Sequence, residues 1–385
     1  MTSLSTPRAL AYSTSMIFLS TLGTGYFLGL FSPSITAEFG TDQSTIGLIF
    51  AVSTLAAVVP MFYLGGLVDR ISLRAYTLIL LAIFALASAL VALAPHILVF
   101  ALGIMFVRLL GDWLFTHAAL TASVRLLAGR KALAGLPALG YALGPSILPA
   151  AAVLLLSAFG WRITWLAIAL FMAVLAIPAF LWLLSTERKI TPPPSATPAA
   201  TRPKLAIDRA VLPYLPALMC VPAIFSGMLF HQSVWLEQQG ATGWIATGLA
   251  VYAVAQTGAM LMSGVLVERF SARRVVSVYA VPAALGMGLS LLGGPDWSIL
   301  GYFAGAGFAT GLYFACTPHL LGELYGHARL GAARAAVQCV TLVCSAASTI
   351  GVGMWIDAGL PISTLLIAGI VLIFVTALIA LPASS

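Results

Sequence analysis

Long apolar runs separated by short polar breaks dominate the pattern of this chain. Apolar side chains follow one another continuously instead of alternating at every second position. A helix needs about 20 mostly apolar residues to cross a membrane, whereas membrane-spanning strands alternate. The pattern therefore predicts an all-α membrane protein with twelve transmembrane helices, at approximately 10–32, 44–68, 75–94, 97–122, 132–157, 162–184, 211–234, 244–267, 275–293, 297–320, 332–355 and 361–382.

A polar, proline-rich break divides the twelve predicted spans into two sets of six. It contains three successive prolines at 192–194 together with several basic residues, and such a composition cannot bury a core. We therefore predict an N-terminal six-helix half at 1–184, a cytoplasmic linker at 185–210 and a C-terminal six-helix half at 211–385.

The two predicted halves share a ten-residue repeat. One copy, from Gly65 to Arg74, follows the second predicted span, and the other, from Gly264 to Arg273, follows the eighth. Gly, Leu, Val, an acid, Arg, Ser and Arg recur in register at a constant offset of 199 (264 − 65). A repeat at the same loop of each half indicates two pseudo-repeats in parallel orientation, an architecture of secondary transporters.

Composition supports the membrane class and excludes several others. The chain is 61% hydrophobic and 8% charged, with a mean hydropathy of +1.07, whereas soluble proteins carry about 25% charged residues. A soluble enzyme, a secreted disulfide scaffold and a disordered chain are therefore excluded. The sequence has no catalytic motif or phosphate-binding loop, and its four cysteines match no metal or redox spacing. We expect no enzyme activity, no metal and no cofactor.

The basic residues predict the orientation in the membrane. If the N-terminus is cytoplasmic, sixteen of the 18 Lys and Arg residues fall in cytoplasmic loops, and the opposite loops carry acids. This asymmetry predicts cytoplasmic N- and C-termini. It also accounts for the net charge of +7 without a nucleic-acid partner. Short loops suggest, by analogy, a bacterial inner membrane, and we expect a monomer in contact with lipid.

The first copy of the repeat resembles the signature of the major facilitator superfamily, Gly65-x-Leu67-x-Asp69-Arg70-x-x-x-Arg74. The resemblance covers essentially the whole chain and implies alternating access of two six-helix halves. We expect an acid in each copy to dock at a helix N-terminus of the other half, near Ala332 and Ala132, and to latch the halves. The alternative is charge that only sets topology. The gating candidates are Asp69, Arg70, Arg74, Glu268, Arg269, Arg273 and Glu323.

Finer features resemble the monocarboxylate and oxalate-type branch of that superfamily. They are Arg108-Leu109-Leu110-Gly111, Gly160-Trp161-Arg162, Phe230-His231-Gln232, and Glu323-Leu324-Tyr325-Gly326 with Arg329-Leu330-Gly331. Two departures stand beside them: Asp112-Trp113 replaces the Gln-Gly of the branch, and the first, eighth and eleventh predicted spans contain no Lys or Arg.

Ionisable residues inside a membrane span cost free energy and usually mark function. Arg108 and Asp112 of the fourth predicted span are four residues apart, so they share a helix face and can pair. A protonated Asp112 would leave Arg108 free to bind a substrate anion, and an ionised Asp112 would release it. The alternative is a permanent structural ion pair.

Other polar residues are weaker candidates. His231 is expected to bind substrate or carry a proton, because histidine titrates near neutral pH. His117, nearer the cytoplasmic end of its span, is a second and weaker proton-coupling candidate. The alternative for His231 is a hydrogen-bonded core histidine, and for His117 it is a residue without a transport role. The remaining substrate-binding candidates could equally bridge two helices; they are Gln232, Tyr26, Gln256, Tyr302, Tyr313 and Gln338.

These observations favour a proton-coupled secondary transporter of a small organic solute, most readily an anion. A partial match to the antiporter signature of drug exporters, Gly140-x-x-x-Gly144-Pro145, keeps proton-antiport efflux of hydrophobic compounds as a rival. A non-transporting, transporter-like receptor is the alternative of another class.

Overall fold

The described part of the chain is helical. The computed structural model describes residues 5–126, 133, 136–185, 209–292 and 297–384, and within these ranges no strand occurs. The α-helices are α1 (Thr6–Ser20), α2 (Gly25–Leu28), α3 (Ser32–Phe39), α4 (Gln43–Ala56), α5 (Val58–Gly65), α6 (Leu73–Ala92), α7 (Ile97–Arg108), α8 (Thr116–Leu126), α9 (Leu139–Phe171), α10 (Ile177–Leu183), α11 (Leu215–Phe230), α12 (Gln232–Gln238), α13 (Ile245–Phe270), α14 (Ala272–Val278), α15 (Val281–Leu291), α16 (Trp297–Asp357) and α17 (Ile362–Ala380).

The described helices are long and apolar enough to cross a membrane many times. Nine satisfy that criterion singly, and eleven do if each of two bent pairs forms one span. One bent pair is Thr6–Gly23 with Gly25–Phe39, and the other is Leu215–Phe230 with Gln232–Gln238. The chain is therefore a multi-pass membrane protein, as the apolar runs predict.

Several predicted boundaries differ from the structure, and the predicted break between 320 and 332 lies inside α16, whose backbone turns at Gly326 with φ of 62°. The first predicted span (10–32) is broken at Thr24, whose backbone is extended, and continues to Phe39 after a 51° bend. The predicted break between 157 and 162 lies inside α9, which bends at Gly160 with φ of 77°. Glycine adopts this positive φ without steric cost, so the chain can turn at this position between two helical segments.

The helices form two compact units. Unit 1 comprises Met1–Thr41 and Ile49–Ala200, and unit 2 comprises Asp42–Leu48 and Thr201–Ser385. The first turns of α4 thus group with unit 2, while its remainder belongs to unit 1. Almost all of the predicted linker (185–210) lies outside the described residues.

Within unit 1, two glycines let α9 approach α1 closely. A Cβ on Gly140 would lie 2.7 Å from the carbonyl oxygen of Thr14, and a Cβ on Gly144 would lie 2.8 Å from that of Phe18. Small residues of this kind allow membrane helices to pack backbone against backbone. The Gly140-x-x-x-Gly144 pattern is therefore a packing surface in this chain.

The Gly160-Trp161-Arg162 stretch joins several helices of unit 1. Arg162 donates from Nη1 to Ala92 O and from Nη2 to Ala94 O, both at 2.8 Å, at the C-terminal end of α6. Its Nε donates to Glu38 Oε1 of α3 at 2.8 Å, and Trp161 Nε1 donates to Glu38 Oε2 at 2.5 Å. We call these contacts the Arg162 junction; they tie α3, α6 and α9 together.

Both copies of the repeat lie at a junction between two helices. Each connects the end of one helix to the start of the next, α5 to α6 in unit 1 and α13 to α14 in unit 2. Ser72 and Ser271, which are equivalent at the offset of 199 (271 − 72), occupy the N-cap positions of α6 and α14. Ser72 caps its helix by accepting the Ala75 N–H at Oγ, whereas Ser271 has a positive φ of 68°, so the two copies share the position of the turn and differ in its backbone.

Candidate functional site

Two irregular backbone segments meet inside unit 1. One is the break of the first span at Thr24, and the other is a π-helical turn, Leu109–Phe115, between α7 and α8. A Cβ on Gly111 would lie 2.8 Å from the Cα of Gly23, so the two backbones are in direct contact. π-Helical turns are rare and frequently lie at functional sites.

Arg108 occupies this meeting point. Its Nη1 donates to Gly23 O at 2.8 Å and lies 2.9 Å from Asp112 Oδ2, and its Nε donates to Thr54 Oγ1 at 2.9 Å. The guanidinium also lies over the Phe50 ring, 4.2 Å from its centroid. Arg108 therefore satisfies a backbone carbonyl beside the break and pairs with an acid, as a buried cation requires.

The two members of the ion pair differ in access. The Arg108 side chain is 8% exposed, whereas that of Asp112 is 32% exposed. Tyr141 of α9 lies close enough to interact with Thr116 and with the charge of Asp112. A solute or water would thus reach the pair from the Asp112 side.

His117 lies one turn beyond the pair and binds the end of α5. Its Nε2 lies 3.1 Å from Gly65 O, the first residue of the repeat. A carbonyl can only accept, so Nε2 carries a proton in both the neutral and the charged imidazole. This bond therefore persists in either protonation state, and it holds the start of the turn that contains the family signature, Gly65 to Arg74.

Within unit 2, His231 stands at the break of another span. The axes of α11 and α12 are bent by 65° there, and His231 Nε2 donates to Thr349 O of α16 at 3.0 Å. The same reasoning places the proton on Nε2, which leaves Nδ1 as the acceptor of the neutral ring. His231 is 1% exposed, and its Nδ1 has no hydrogen-bond partner among the described residues.

An aromatic pair lies next along α12. The ring centroids of Trp235 and Tyr302 are 5.0 Å apart, and both residues are buried. Trp235 Nε1, Tyr302 Oη and Ser233 Oγ are buried without a hydrogen-bond partner in the described part of the chain. Buried polar groups are normally paired, so this region has unused hydrogen-bonding capacity.

The remaining candidates are scattered within their units. Tyr313 Oη bonds Thr341 Oγ1 at 2.9 Å, which is a bridge between two parts of α16. Gln256 is buried where α13 and α16 approach closely at Gly311, whereas Gln338 is exposed. Tyr26 lies in α2 just after the break, and Gln232 is the first residue of α12.

Of the gating candidates, one pair is in contact within unit 2. Glu323 Oε1 accepts the backbone N–H of Ala272 at 2.9 Å, and its Oε2 lies 3.8 Å from Arg273 Nε. The other candidates with described side chains are exposed: Arg70, Arg74, Glu268 and Arg269. The Asp69 side chain and the expected docking positions near Ala132 and Ala332 lie outside what the structure describes.

Sequence reasoning missed several partners of the candidates. Thr54 and Phe50 hold Arg108 from α4, and Thr349 holds His231 from α16. Threonine and phenylalanine are common in membrane helices, so hydropathy carries no signal for these contacts. In the described residues, no group of three or more His, Cys, Asp or Glu side chains could hold a metal ion.

The sequence profile of the Major Facilitator Superfamily matches residues 14–348. The chain belongs to the Major Facilitator Superfamily. No curated protein sequence matches it. A crystal structure of a mutant of the nucleoside transporter NupG is similar with a TM-score of 0.75, 13% identity, and coverage of 97% of this chain and 99% of that one. A bacterial homolog to the human lysosomal transporter Spinster, inward-facing and unoccupied, has a TM-score of 0.75 at 14% identity, covering 99% and 98%.

The family confirms the resemblance drawn from the signature turn. This major facilitator protein is a membrane transporter of a small solute, not an enzyme. At identities of 13% and 14%, these similarities support the same fold and say nothing about the substrate of this chain.

Proposed function

We propose that this protein is a proton-coupled secondary active transporter that moves a small organic anion by alternating access. The observation that carries the proposal is the pair formed by buried Arg108 and half-buried Asp112, with 2.9 Å between Nη1 and Oδ2. Charges within membrane spans are costly and tend to be retained for function. This pair also contacts the broken backbone of the first span through Gly23 O.

The proposed coupling follows from competition for the guanidinium. When Asp112 binds a proton it no longer compensates Arg108, so a carboxylate of the solute gains its place. When Asp112 loses the proton, it displaces the anion. The greater exposure of Asp112 supports this order, because proton and solute reach the acid first. Thr54 and Gly23 O hold the guanidinium in place throughout.

The monocarboxylate and oxalate-type branch remains our proposal for the substrate class. Arg108 and the Gly160-Trp161-Arg162 stretch support it, and the structure gives both stretches ordered contacts. We further propose twelve spans in two pseudo-repeats. Among the described residues, eleven spans result when each bent pair counts once, and dividing the 48-residue stretch Leu136–Leu183 at its Gly160 bend adds one more.

We also propose how the protein lies in the membrane, where it is located and how it is gated. The basic loops support cytoplasmic termini, and we propose a monomer in a bacterial inner membrane. The signature acids Asp69 and Glu268 are proposed to latch the halves when the cytoplasmic side is closed. The contact between Arg273 and Glu323 is proposed to steady the second latch from within its own unit.

The test is uptake into proteoliposomes that contain the purified protein and a pH-sensitive dye. A thermal-shift screen of small organic acids, nucleosides and lipophilic cations first selects the solute, because a ligand stabilises the folded state that binds it. Asp112→Asn is expected to abolish proton-driven uptake while retaining exchange of solute for solute. Arg108→Ala is expected to abolish both.

Arg274→Ala is the matched control, since Arg274 is exposed and lies outside the pair. Proton-driven uptake that survives in Asp112→Asn would refute coupling through this acid. Stabilisation of wild type and Arg108→Ala alike by lipophilic cations would replace the anion proposal with drug efflux.

A second candidate is an uncharged polar solute. The unpaired groups of Trp235, Tyr302 and Ser233 favour it, because they could bond hydroxyl or ring-nitrogen atoms without a charge. The similar fold of a nucleoside transporter is compatible with such a substrate. Stabilisation by nucleosides that is lost in Tyr302→Phe but kept in Arg108→Ala would select this candidate.

A further inference from the structure

Within unit 2, the first turn of α4 is capped by an acid from the far end of α16. Asp357 Oδ1 accepts the Gln43 N–H at 2.9 Å, and Oδ2 accepts the Ser44 N–H at 2.8 Å. The first N–H groups of a helix have no partner within it and carry the positive end of its dipole. Asp357 therefore stabilises the start of a helix that lies 314 positions earlier in the chain.

Two glycines bring the same helices into backbone contact. A Cβ on Gly353 would lie 2.7 Å from Gln43 O, and a Cβ on Gly47 would lie 2.6 Å from Thr349 O. Thr349, Gly353 and Asp357 are four residues apart and so share one face of α16. The contact is continuous over two turns of that face, and no side chain larger than hydrogen fits at either glycine.

His231 adds a third component. It donates to Thr349 O, and a Cβ on Gly47 would lie 3.4 Å from its Nε2. The break between α11 and α12 thus borders the place where α4 docks. The docked segment, Asp42–Leu48, is the part of α4 that groups with unit 2, and the helix passes into unit 1 at Ile49.

A second acid caps α4 locally and provides a contrast. Asp42 Oδ1 accepts the Thr45 N–H at 2.7 Å, and this bond travels with α4 wherever the helix lies. The bonds from Asp357 do not, because they exist only while the segment is docked on α16. The helix start is therefore complete in its capping only in the docked state.

We propose that Asp357 and the Gly47 and Gly353 contacts form a releasable lock that holds residues 42–48 to unit 2, and that this segment undocks once in each transport cycle. The second part rests on the proposed function, and the first part does not. Asp357 is exposed, so water can replace it at the helix start. Glycine contacts interlock no side chains, so they can separate without repacking.

The test is amide hydrogen exchange, measured by mass spectrometry on the purified full-length protein, with residue-level fragmentation of the peptide that covers 42–56. Asp357→Ala removes both capping bonds, and Gly353→Val keeps the acid but forces the helices apart. Gly351→Val is the matched control, since a Cβ on Gly351 meets nothing within 4 Å. Peptides of α6 in unit 1 report whether each variant is folded.

The amides of residues 46–48 are decisive, because Asp357 bonds none of them. We expect both lock variants to exchange these amides roughly tenfold faster than wild type, which corresponds to about 1.4 kcal/mol, the scale of a single hydrogen bond to a charged group. Gly351→Val should match wild type. Faster exchange confined to residues 43 and 44 in Asp357→Ala would overturn the lock, as would equal rates in Gly353→Val and Gly351→Val.

If Gly353→Val fails to fold, Asp357→Ala decides alone, because an exposed side chain is not needed for the core. The outcome does not depend on a known substrate. Faster exchange at 46–48 in a protein that transports no solute in proteoliposomes would support the lock and refute the proposed function. Normal transport together with unchanged exchange at 46–48 in the lock variants would support the proposed function and refute the lock.

Discussion

Arg162→Ala should destabilise unit 1, because the Arg162 junction closes the end of α6. The last carbonyls of a helix lack partners within it, and Arg162 supplies donors to those of Ala92 and Ala94 at 2.8 Å each. Ala92 and Ala94 are 3% and 0% exposed, so neither gains full access to water when the arginine is lost.

The magnitude follows from the three contacts. Each carbonyl left without a donor costs about 1–3 kcal/mol. The ion pair with Glu38 contributes at most about 1 kcal/mol, because its side chains are 35% and 41% exposed. Water that enters where the guanidinium lay will recover part of the carbonyl cost. We therefore expect a loss of about 2–4 kcal/mol in the free energy of unfolding.

Arg162→Lys tests whether the geometry of the guanidinium matters. Lysine keeps the charge but cannot bridge two carbonyls and a carboxylate with one planar group. Arg162→Lys should recover less than half of the unfolding free energy that Arg162→Ala loses. The assay is equilibrium unfolding in mixed detergent micelles, followed by circular dichroism, with Arg274→Ala as an exposed-cation control. A loss below about 1 kcal/mol for Arg162→Ala, the value of an exposed pair alone, would refute the reasoning. So would a lysine variant as stable as wild type.

Three further predictions concern other contacts. Thr54→Val should cost about 1–3 kcal/mol of unfolding free energy in the same micelle assay, because Arg108 Nε loses its acceptor. Thr54→Ser keeps a hydroxyl and should restore the stability. Equal losses of stability in the valine and serine variants would contradict this reasoning. Gly144→Val should reduce the yield of monodisperse protein in size-exclusion chromatography, whereas Gly258→Val, where a Cβ meets nothing, should not. The hydrogen bonds that Asp42 accepts, chiefly with Thr45, hold its pKa below the usual 3.8, so its stabilisation is present at neutral pH and lost as the pH falls through the lowered pKa. The melting temperature of wild type should therefore exceed that of Asp42→Asn at pH 7 and converge with it in acid; a constant difference would rule out this titration.

Much of the fold was predictable from the sequence because membrane insertion imposes a local rule. Every backbone group in the hydrocarbon region needs an internal partner, so apolar runs of sufficient length become helices. The Arg108–Asp112 pair was predictable for the same reason, since helical spacing alone places the two side chains on one face. The repeat from Gly65 to Arg74 identified the family through the chemistry of a single turn.

Breaks and contacts between helices were decided only by the tertiary structure. Hydropathy predicts where a helix can lie, but it does not show which face of that helix packs against a neighbouring helix. The extended backbone at Thr24 is stable because Arg108 reaches the carbonyl of Gly23, and α9 bends at Gly160. The break at Thr24 leaves the apolar pattern uninterrupted, whereas the bend at Gly160 falls in the break that the pattern predicts between 157 and 162.

The sequence by itself determined the membrane class, the helical content and the family of this protein, since each depends on residues close together in the chain. Which partner each polar group finds depended on the packing. Arg162 meets two carbonyls 68 and 70 positions away, and Asp357 meets a helix start 314 positions away. Such pairings depend on the combined geometry of all the helices in a unit, and no local pattern encodes them.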